Sequence, residues 1–375
     1  MRINERSKKC SACKACLWAC PRNAISFSKS KKGFEYPKIN EDLCVNCGIC
    51  SRVCQCEHCV DSVDYETYVA YYDSDEVRQT SQSGGLFYGL AECVLDMGGV
   101  VYGSAVTDDL SVACIRAEDL SGLHRIQGSK YVQSDTRNSY VNVERDLNDG
   151  KNVIYGGTSC MIDGLYRFLD MRKVNVTNLI TCDLICHGVV SPELYRNNIE
   201  RVSEGKKILS INFRNKKYGW HSHNETYTFA DGSQKTENNW AELMYTHVAL
   251  RECCYKCQYS DLKNKPADIT MGDFWGLDTQ ATGLVDDNKG VSLAIVRSGK
   301  GENLLKKSRL TIQSVDKTNV LDNNRTGNIA KPYIYRKFWH DYYEHGYSYC
   351  LKKYTIYGGV RFKIKRKILS LLKRW

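Results

Sequence analysis

Hydrophobic and polar positions follow different patterns in different parts of this chain, and each pattern predicts a different element. Ile25 and Phe27 alternate with polar neighbours, residues 29–33 (KSKKG) read as a turn, and residues 34–36 return, which predicts a short hairpin. Residues 61–80, DSVDYETYVAYYDSDEVRQT, are acidic and tyrosine-rich without clear periodicity, and predict a connector. SQSGG at 81–85 is a flexible polar entry to residues 86–97, which have helical spacing. Strands are predicted at 100–102 and 112–115. A third, Val153-Ile154-Tyr155, runs into Gly156 and Gly157, with a helix expected from near Met161. Strand, glycines and then helix is a ligand-binding arrangement of α/β sheets. INFRNKKYGW (211–220) reads as a strand entering a basic loop, and DITMGDFWG (268–276) as a strand ending on glycine. Aromatics at i+3 and i+4 across 333–357 predict a helix packed on the body. In the tail 361–375, Ile364, Ile368, Leu371, Leu372 and Trp375 share one face of a basic helix.

The chain has 375 residues, 42% hydrophobic and 26% charged, which is a globular composition long enough for two or three domains. No run of 18 apolar residues predicts a membrane span. Neither G-x-G-x-x-G nor a P-loop occurs, so an ordinary nicotinamide dehydrogenase or nucleoside triphosphatase is unsupported. The anomaly is 19 cysteines. An odd count, two- and three-residue gaps, and a start (MRINERSKKC) without an apolar signal segment argue against a disulfide framework. They favour thiolates held for metal in a reducing cytoplasm.

Cys10, Cys13, Cys16 and Cys20 are spaced C-x2-C-x2-C-x3-C, with Pro21 behind them. Cys44, Cys47, Cys50 and Cys54 repeat the spacing. A lone C-x2-C could hold zinc, but two matched runs resemble a bacterial two-cluster ferredoxin. That resemblance implies one 4Fe-4S cluster on Cys10, Cys13, Cys16 and Cys54, and another on Cys44, Cys47, Cys50 and Cys20. Gln55 stands where proline would follow the second run, and Cys56 and Cys59 are surplus to the eight, either local neighbours of the ligands or a swapped ligand. Further on, Cys160 follows a predicted strand, Cys186 precedes His187-Gly188, and Cys254-x2-Cys257 is a ligand pair. These four are the candidate ligands of a third 4Fe-4S cluster, with Cys182 and Cys253 in reserve; buried inert thiols are the plain reading of Cys93, Cys114 and Cys350.

With these cysteines in place, the chain resembles the beta-subunit family of coenzyme F420-reducing hydrogenases and formate dehydrogenases. The matching segments are SQSGG (81–85), GSKYVQSD (128–135), GGTSCMIDGL (156–165), DLICHGVVSP (183–192), FRNKKYGW (213–220), LRECCYKCQYS (250–260), DITMGDFWG (268–276) and KGVSL (289–293). The resemblance implies an α+β chain: a two-cluster ferredoxin-like domain at 1–62, a linker at 63–80, and a mixed α/β domain at 81–310 binding FAD and the third cluster. An aromatic segment and basic tail follow at 311–375. It also implies an oxidoreductase that moves electrons between 4Fe-4S clusters and FAD. By the same analogy Ser83, Gly84, Gly85, Gly128, Ser129 and Lys130 would meet the FAD phosphates, and Thr158 the flavin or its ribityl chain. His187 and Lys130 are the candidate catalytic side chains: His187 to tune the third cluster or move a proton, Lys130 as a point charge. Trp275 either stacks on a ring system or belongs to the core.

Members of the fused branch also occur among capsule and exopolysaccharide genes, which points to a sugar-derived or lipid-linked substrate, with coenzyme F420 or a pure electron-relay role as alternatives. An external donor or acceptor such as a ferredoxin is the expected protein partner. The formal charge of +10 does not argue for nucleic acid. Each oxidised four-iron unit with its thiolates carries about −2, so three of them and a pyrophosphate absorb most of the surplus. The basic amphipathic tail suggests a cytoplasmic protein with peripheral attachment to an anionic membrane surface.

Overall fold

The computed structural model describes residues 8–276, 282–317 and 327–355. The amphipathic tail at 361–375 lies outside the described residues. Among those described, no helix is long and apolar enough to cross a membrane.

The first 60 residues hold two short helices, α1 (Ala15–Ala19) and α2 (Ile49–Arg52), and a hairpin of β1 (Ile25–Lys29) and β2 (Glu35–Ile39). The strands pair antiparallel with Ile25 opposite Ile39, close to the hairpin expected from the alternation. Beyond them the chain forms strand β3 (Glu66–Tyr72) and helix α3 (Asp75–Thr80) where a connector was expected. Thr67, Val69, Ala70 and Tyr72 of β3 are buried while Tyr68 and Tyr71 are half-buried. Both faces of this strand are covered, so no clean two-residue alternation marks it, and the tyrosines read as polar although their rings pack.

Helix α4 (Leu86–Asp96) leads to β4 (Val100–Val106), β5 (Val112–Ala117), α5 (Leu120–Ile126), α6 (Ser139–Asn148), β6 (Val153–Gly156), α7 (Ser159–Met171) and β7 (Leu179–Leu184). Helix α8 (Pro192–Ser203) precedes a small antiparallel sheet of β8 (Ile208–Asn212), β9 (Glu225–Phe229) and β10 (Gln234–Glu237), followed by α9 (Asn239–Tyr245). The last described elements are β11 (Ile269–Asp273), β12 (Ser292–Val296), α10 (Gly299–Lys307), β13 (Leu310–Ser314) and α11 (Tyr335–Tyr354). Because β13 pairs with β3, the sheet extends past residue 310, the boundary expected from sequence.

Eight strands make one sheet in the order β13-β3-β12-β11-β7-β6-β4-β5. Its centre, β11-β7-β6-β4, is parallel, and the flanking pairs are antiparallel. Successive residues of the central strands point to opposite layers, as the pleat requires. Val101, Ile154, Cys182 and Ile269 pack with Leu90, Val94, Leu123 and Leu304 on one face. Val100, Tyr102, Val153, Tyr155 and Leu179 pack with Tyr140, Ile162, Leu165 and Phe168 on the other. That second core also takes in Ala15, Cys16, Ile25 and Val53, so the cysteine-rich domain is part of the helical layer on α7. With both faces covered, the carboxyl ends of the parallel strands are the natural opening for a ligand.

Candidate redox site

The two front cysteine runs share a backbone device. Ala12 and Lys14 have φ of 58° and 63°, and Asn46 and Gly48, at the same offsets in the second run, have φ of 54° and 73°. Left-handed backbone at matched positions gives the two runs the same local turns. Three of these four are not glycine, which makes the conformation costly unless something over-determines it. In the first group Cys13 is pushed up to about 12, chiefly by burial, with Cys10 and Cys54 adding to the effect. Cys16 is raised by burial and then by Cys13, Cys10, Cys54 and Cys50. The second group, Cys20, Cys44, Cys47 and Cys50, lines a pocket of about 180 Å³. Cys54 thus acts on thiols of the first run, and Cys20 shares a pocket with thiols of the second.

Buried thiols that raise one another's pKa resist ionisation as they stand. A positively charged iron core reverses that balance, so the donor set fits a metal–sulfur group. All 19 cysteines are free thiols. Among the described residues, no three His, Cys, Asp or Glu side chains lie close enough to share a single ion. A cubane, which carries its ligands on four separate corners, asks for a volume instead. Backbone amides already point at several sulfurs: Ala12 N donates to Cys10 Sγ at 3.3 Å, Ala24 N to Cys20 Sγ at 3.3 Å, and Gly188 N to Cys186 Sγ at 3.3 Å. Such bonds stabilise charge on sulfur and set cluster potentials.

Cys160, Cys186, Cys254 and Cys257 come from three distant segments and line one cavity. Cys160 stands in the first turn of α7, Cys186 follows β7, and the pair lies on a 3-10 turn spanning Glu252–Lys256 and its cap. Burial raises Cys160 most, and Cys257, Cys186 and Cys254 all act on it. Burial pushes Cys257 up to about 11, with Cys186 and Cys254 contributing. Cys253 neighbours Cys254 and Arg251, whereas Cys182 is fully buried mid-strand opposite Gly156 and Ile269. Cys182 is thus a core thiol of the sheet.

The cavity holds about 1500 Å³ and opens at the carboxyl ends of β6, β7 and β11. Ser83, Gly85, Gly128, Ser129, Lys130, Thr158, His187 and Trp275 all line it. Gly84 does not. Its amide donates to Ser292 Oγ at 2.8 Å, and a Cβ there would stand 2.5 Å from Ala70 O, so glycine lets this loop pack against the backbone of the paired strands β3 and β12. Ser83 Oγ donates to Val291 O at 2.6 Å. Two helices, α4 and α7, begin at the cavity wall with no side-chain cap on their N-termini, at Gly85 and Thr158. Their first amides are donors of the kind that hold phosphate.

Lys130 is placed differently from its expected role. Its Nζ donates to the carbonyls of Arg125, Ile126, Gln127 and Gly128 at 2.6–3.2 Å, so its charge closes the end of α5. Burial pushes it down to about 7. His187 packs edge-on to Tyr245 at 6.3 Å, and His223 meets the same ring at 5.1 Å. Trp275 stacks on Trp220 at 4.7 Å with 4° between planes, while Trp220 Nε1 donates to Asp273 Oδ1 at 3.0 Å. Arg214, buried, donates to Asp273 Oδ2 at 2.7 Å and lies over the Trp275 ring. Trp275 is therefore packed and cavity-lining at once.

Sequence reasoning did not single out the connection between the two cysteine regions. Gly164 on α7 faces Cys13: an added Cβ would stand 2.8 Å from Cys13 Sγ and 3.0 Å from Tyr140 Oη. Cys160 lies four residues away on that helix, about 6 Å along its axis. Tyr140, buried between them, donates to Met161 O at 2.6 Å and is acted on by both Cys13 and Cys160. The signal was a glycine inside a helical pattern, in the run CMIDGL.

Residues 9–58 match the family described as 4Fe-4S dicluster domain. Residues 150–318 match the family described as the C terminus of the coenzyme F420 hydrogenase/dehydrogenase beta subunit. No curated protein matches the chain. Among solved structures, a chain of the xenon-derivatised F420-reducing NiFe hydrogenase complex from Methanosarcina barkeri is similar at 17% identity and a TM-score of 0.47. The likeness covers 68% of this chain and 83% of that one. The two family matches join an N-terminal 4Fe-4S dicluster domain to a C-terminal region of coenzyme F420 hydrogenase/dehydrogenase beta-subunit type, which makes the protein an iron–sulfur oxidoreductase related to those subunits.

Proposed function

We propose that this chain is an iron–sulfur flavoprotein that carries electrons along one line. The line runs from the cluster on Cys20, Cys44, Cys47 and Cys50 to that on Cys10, Cys13, Cys16 and Cys54. It continues through a third on Cys160, Cys186, Cys254 and Cys257 to FAD in the cavity, where a small substrate reacts. The observation that carries this reading is the convergence of four thiols from three distant segments on the wall of a cavity lined by glycine-rich loops. A flavin supplies the exchange between one-electron carriers and two-electron hydride chemistry.

The chain's own residues divide the remaining work. The amides opening α4 and α7 offer donors to a pyrophosphate, while Lys216 Nζ holds the Ser83 loop by donating to Ser83 O and Lys289 O at 2.6 Å each. Arg214 and Asp273 fix Trp220, and through it the stacked Trp275, as a flat wall suited to a planar heterocycle. Gly164 and Tyr140 keep the front domain against α7 so that the two cysteine regions stay close.

Protein purified without oxygen should contain about 12 iron, about 12 sulfide and one FAD per chain, as three four-iron clusters and one flavin require. Iron near eight would remove the third cluster. Zinc in place of iron, or absence of flavin, would sink the reading. Reoxidation of the reduced protein, followed with coenzyme F420 and with nucleotide sugars, separates the two candidate substrate classes.

A further inference from the structure

Arg251 is fully buried, and among the described residues no carboxylate pairs with it. Its Nε donates to Cys10 O at 2.6 Å, Nη1 to Gln133 Oε1 at 2.9 Å, and Nη2 to Glu35 O at 2.7 Å. The guanidinium lies over the rings of Phe34 and Tyr36, at 5.3 and 4.5 Å. Carbonyls and rings orient a cation but do not neutralise it, and a buried charge without a counter-charge is strongly disfavoured. Arginine does not escape by losing its proton.

The missing negative charge has an address. Arg251 Nε bonds the carbonyl of Cys10, and Arg251 lines the same cavity as Cys160, Cys186, Cys254 and Cys257. Cys10 belongs to the front group of thiols and Cys254 to the cavity group. Arg251 also stitches the regions carrying them: it bonds the backbone of Cys10 and Glu35 through its side chain, while its own N–H donates to Val189 O and its carbonyl accepts from Cys254 N.

We infer that Arg251 is the shared counter-cation of two clusters, the one on Cys10, Cys13, Cys16 and Cys54 and the one on Cys160, Cys186, Cys254 and Cys257. The inference rests on the third-cluster reading above. Adding an electron makes a cluster more negative, so a nearby desolvated cation favours the reduced form and raises the potential of both together. It thereby keeps the two potentials close and eases passage between them, and leaves the outer cluster on Cys20, Cys44, Cys47 and Cys50 comparatively untouched.

Redox titration of the holoprotein followed by electron paramagnetic resonance tests this. Arg251→Met should disfavour reduction of both inner clusters at least tenfold, about 59 mV for one electron, with the outer cluster unmoved. Arg251→Lys, which keeps the charge, should restore most of the shift. Gln133→Glu places a carboxylate against the intact guanidinium and should lower the same two potentials, whereas Gln133→Leu, which adds no charge, should not. This second pair keeps the test open should Arg251→Met fail to fold. Full iron with both inner potentials unchanged in Gln133→Glu overturns the inference while the three-cluster reading stands. A wild-type chain with about eight iron overturns it through that reading instead.

Discussion

At the scale of single residues, the roles of two cysteines four positions apart are opposed. Cys186 lines the cavity with Cys160, Cys254 and Cys257, while Cys182 points into the sheet core with no exposed surface. Cys257→Ser should therefore lower bound iron by about four per chain and leave the front clusters in place, whereas Cys182→Ala should leave iron unchanged at a small packing cost. Iron assay and spin quantitation on both variants check the pair. Lys216 gives a pH-dependent case. Burial, aided by Arg78, pushes it down to about 7, against roughly 10.4 in an unfolded chain. Between those values the unfolded chain holds the proton and the folded one does not. Unfolding then takes a proton up, so stability rises with pH through that window. A neutral amine still has two hydrogens, one for each of the carbonyls it meets. Lys216→Met should remove this alkaline gain and cost about 1–3 kcal/mol for each carbonyl left unpaired. Denaturation midpoints of wild type and variant at pH 6.5 and 9 measure it.

At the scale of elements, α7 joins three functions: its first turn carries Cys160 and opens toward the cavity, its middle admits Cys13, and its apolar face packs on β6 and β7. Gly164→Ala should gain about 1 kcal/mol of helix propensity, but its Cβ would crowd Cys13 Sγ and Cys13 Cβ, and overpacking costs about 1–3 kcal/mol. Net destabilisation is expected, with an altered signal from the front cluster and an unaltered one from the cavity cluster. The glycine pattern could be read as helix from sequence, yet its reason could not, because the atom it accommodates lies some 150 positions earlier. The same limit explains which elements were legible. Strands with pure apolar runs, such as β6, and the hairpin β1–β2 declared themselves through local pattern. Strand β3 did not, since Tyr68, Tyr71 and Glu66 hide a strand whose burial comes from partners about 225 and 240 residues downstream. Arg251 stayed invisible because nothing in its immediate neighbourhood distinguishes a buried cation from a surface one.

At the scale of the whole molecule, the front domain is docked through bonds spread over its surface. Lys14 pairs with Asp135, Trp18 Nε1 donates to Arg137 O at 2.7 Å, and Gln133 and Thr136 reach the backbone of Ser11 and Cys13. At the far end of the domain the hairpin is held as well: Ser191 Oγ donates to Lys32 O at 2.5 Å, and Lys32 Nζ donates to Tyr335 Oη at 2.8 Å. A Cβ on Gly33 would stand 2.3 Å from Glu193 Cβ, so the turn is pressed against α8. Surface ion pairs alone contribute little, but here they rim a continuous apolar core shared by Ala15, Ile25, Val53 and α7. Electron transfer between the regions should consequently need no swinging of a tethered domain, and its rate should be insensitive to solvent viscosity. The sharper test is covalent. Residues 61–64 are exposed and irregular, so a protease site inserted after Asp61 should be cut without disturbing either region. The two pieces should then co-elute in gel filtration and keep reduction of the cavity cluster by the front clusters. Separation of the pieces on cutting would show that the chain connection, and not the buried interface, holds the electron path together.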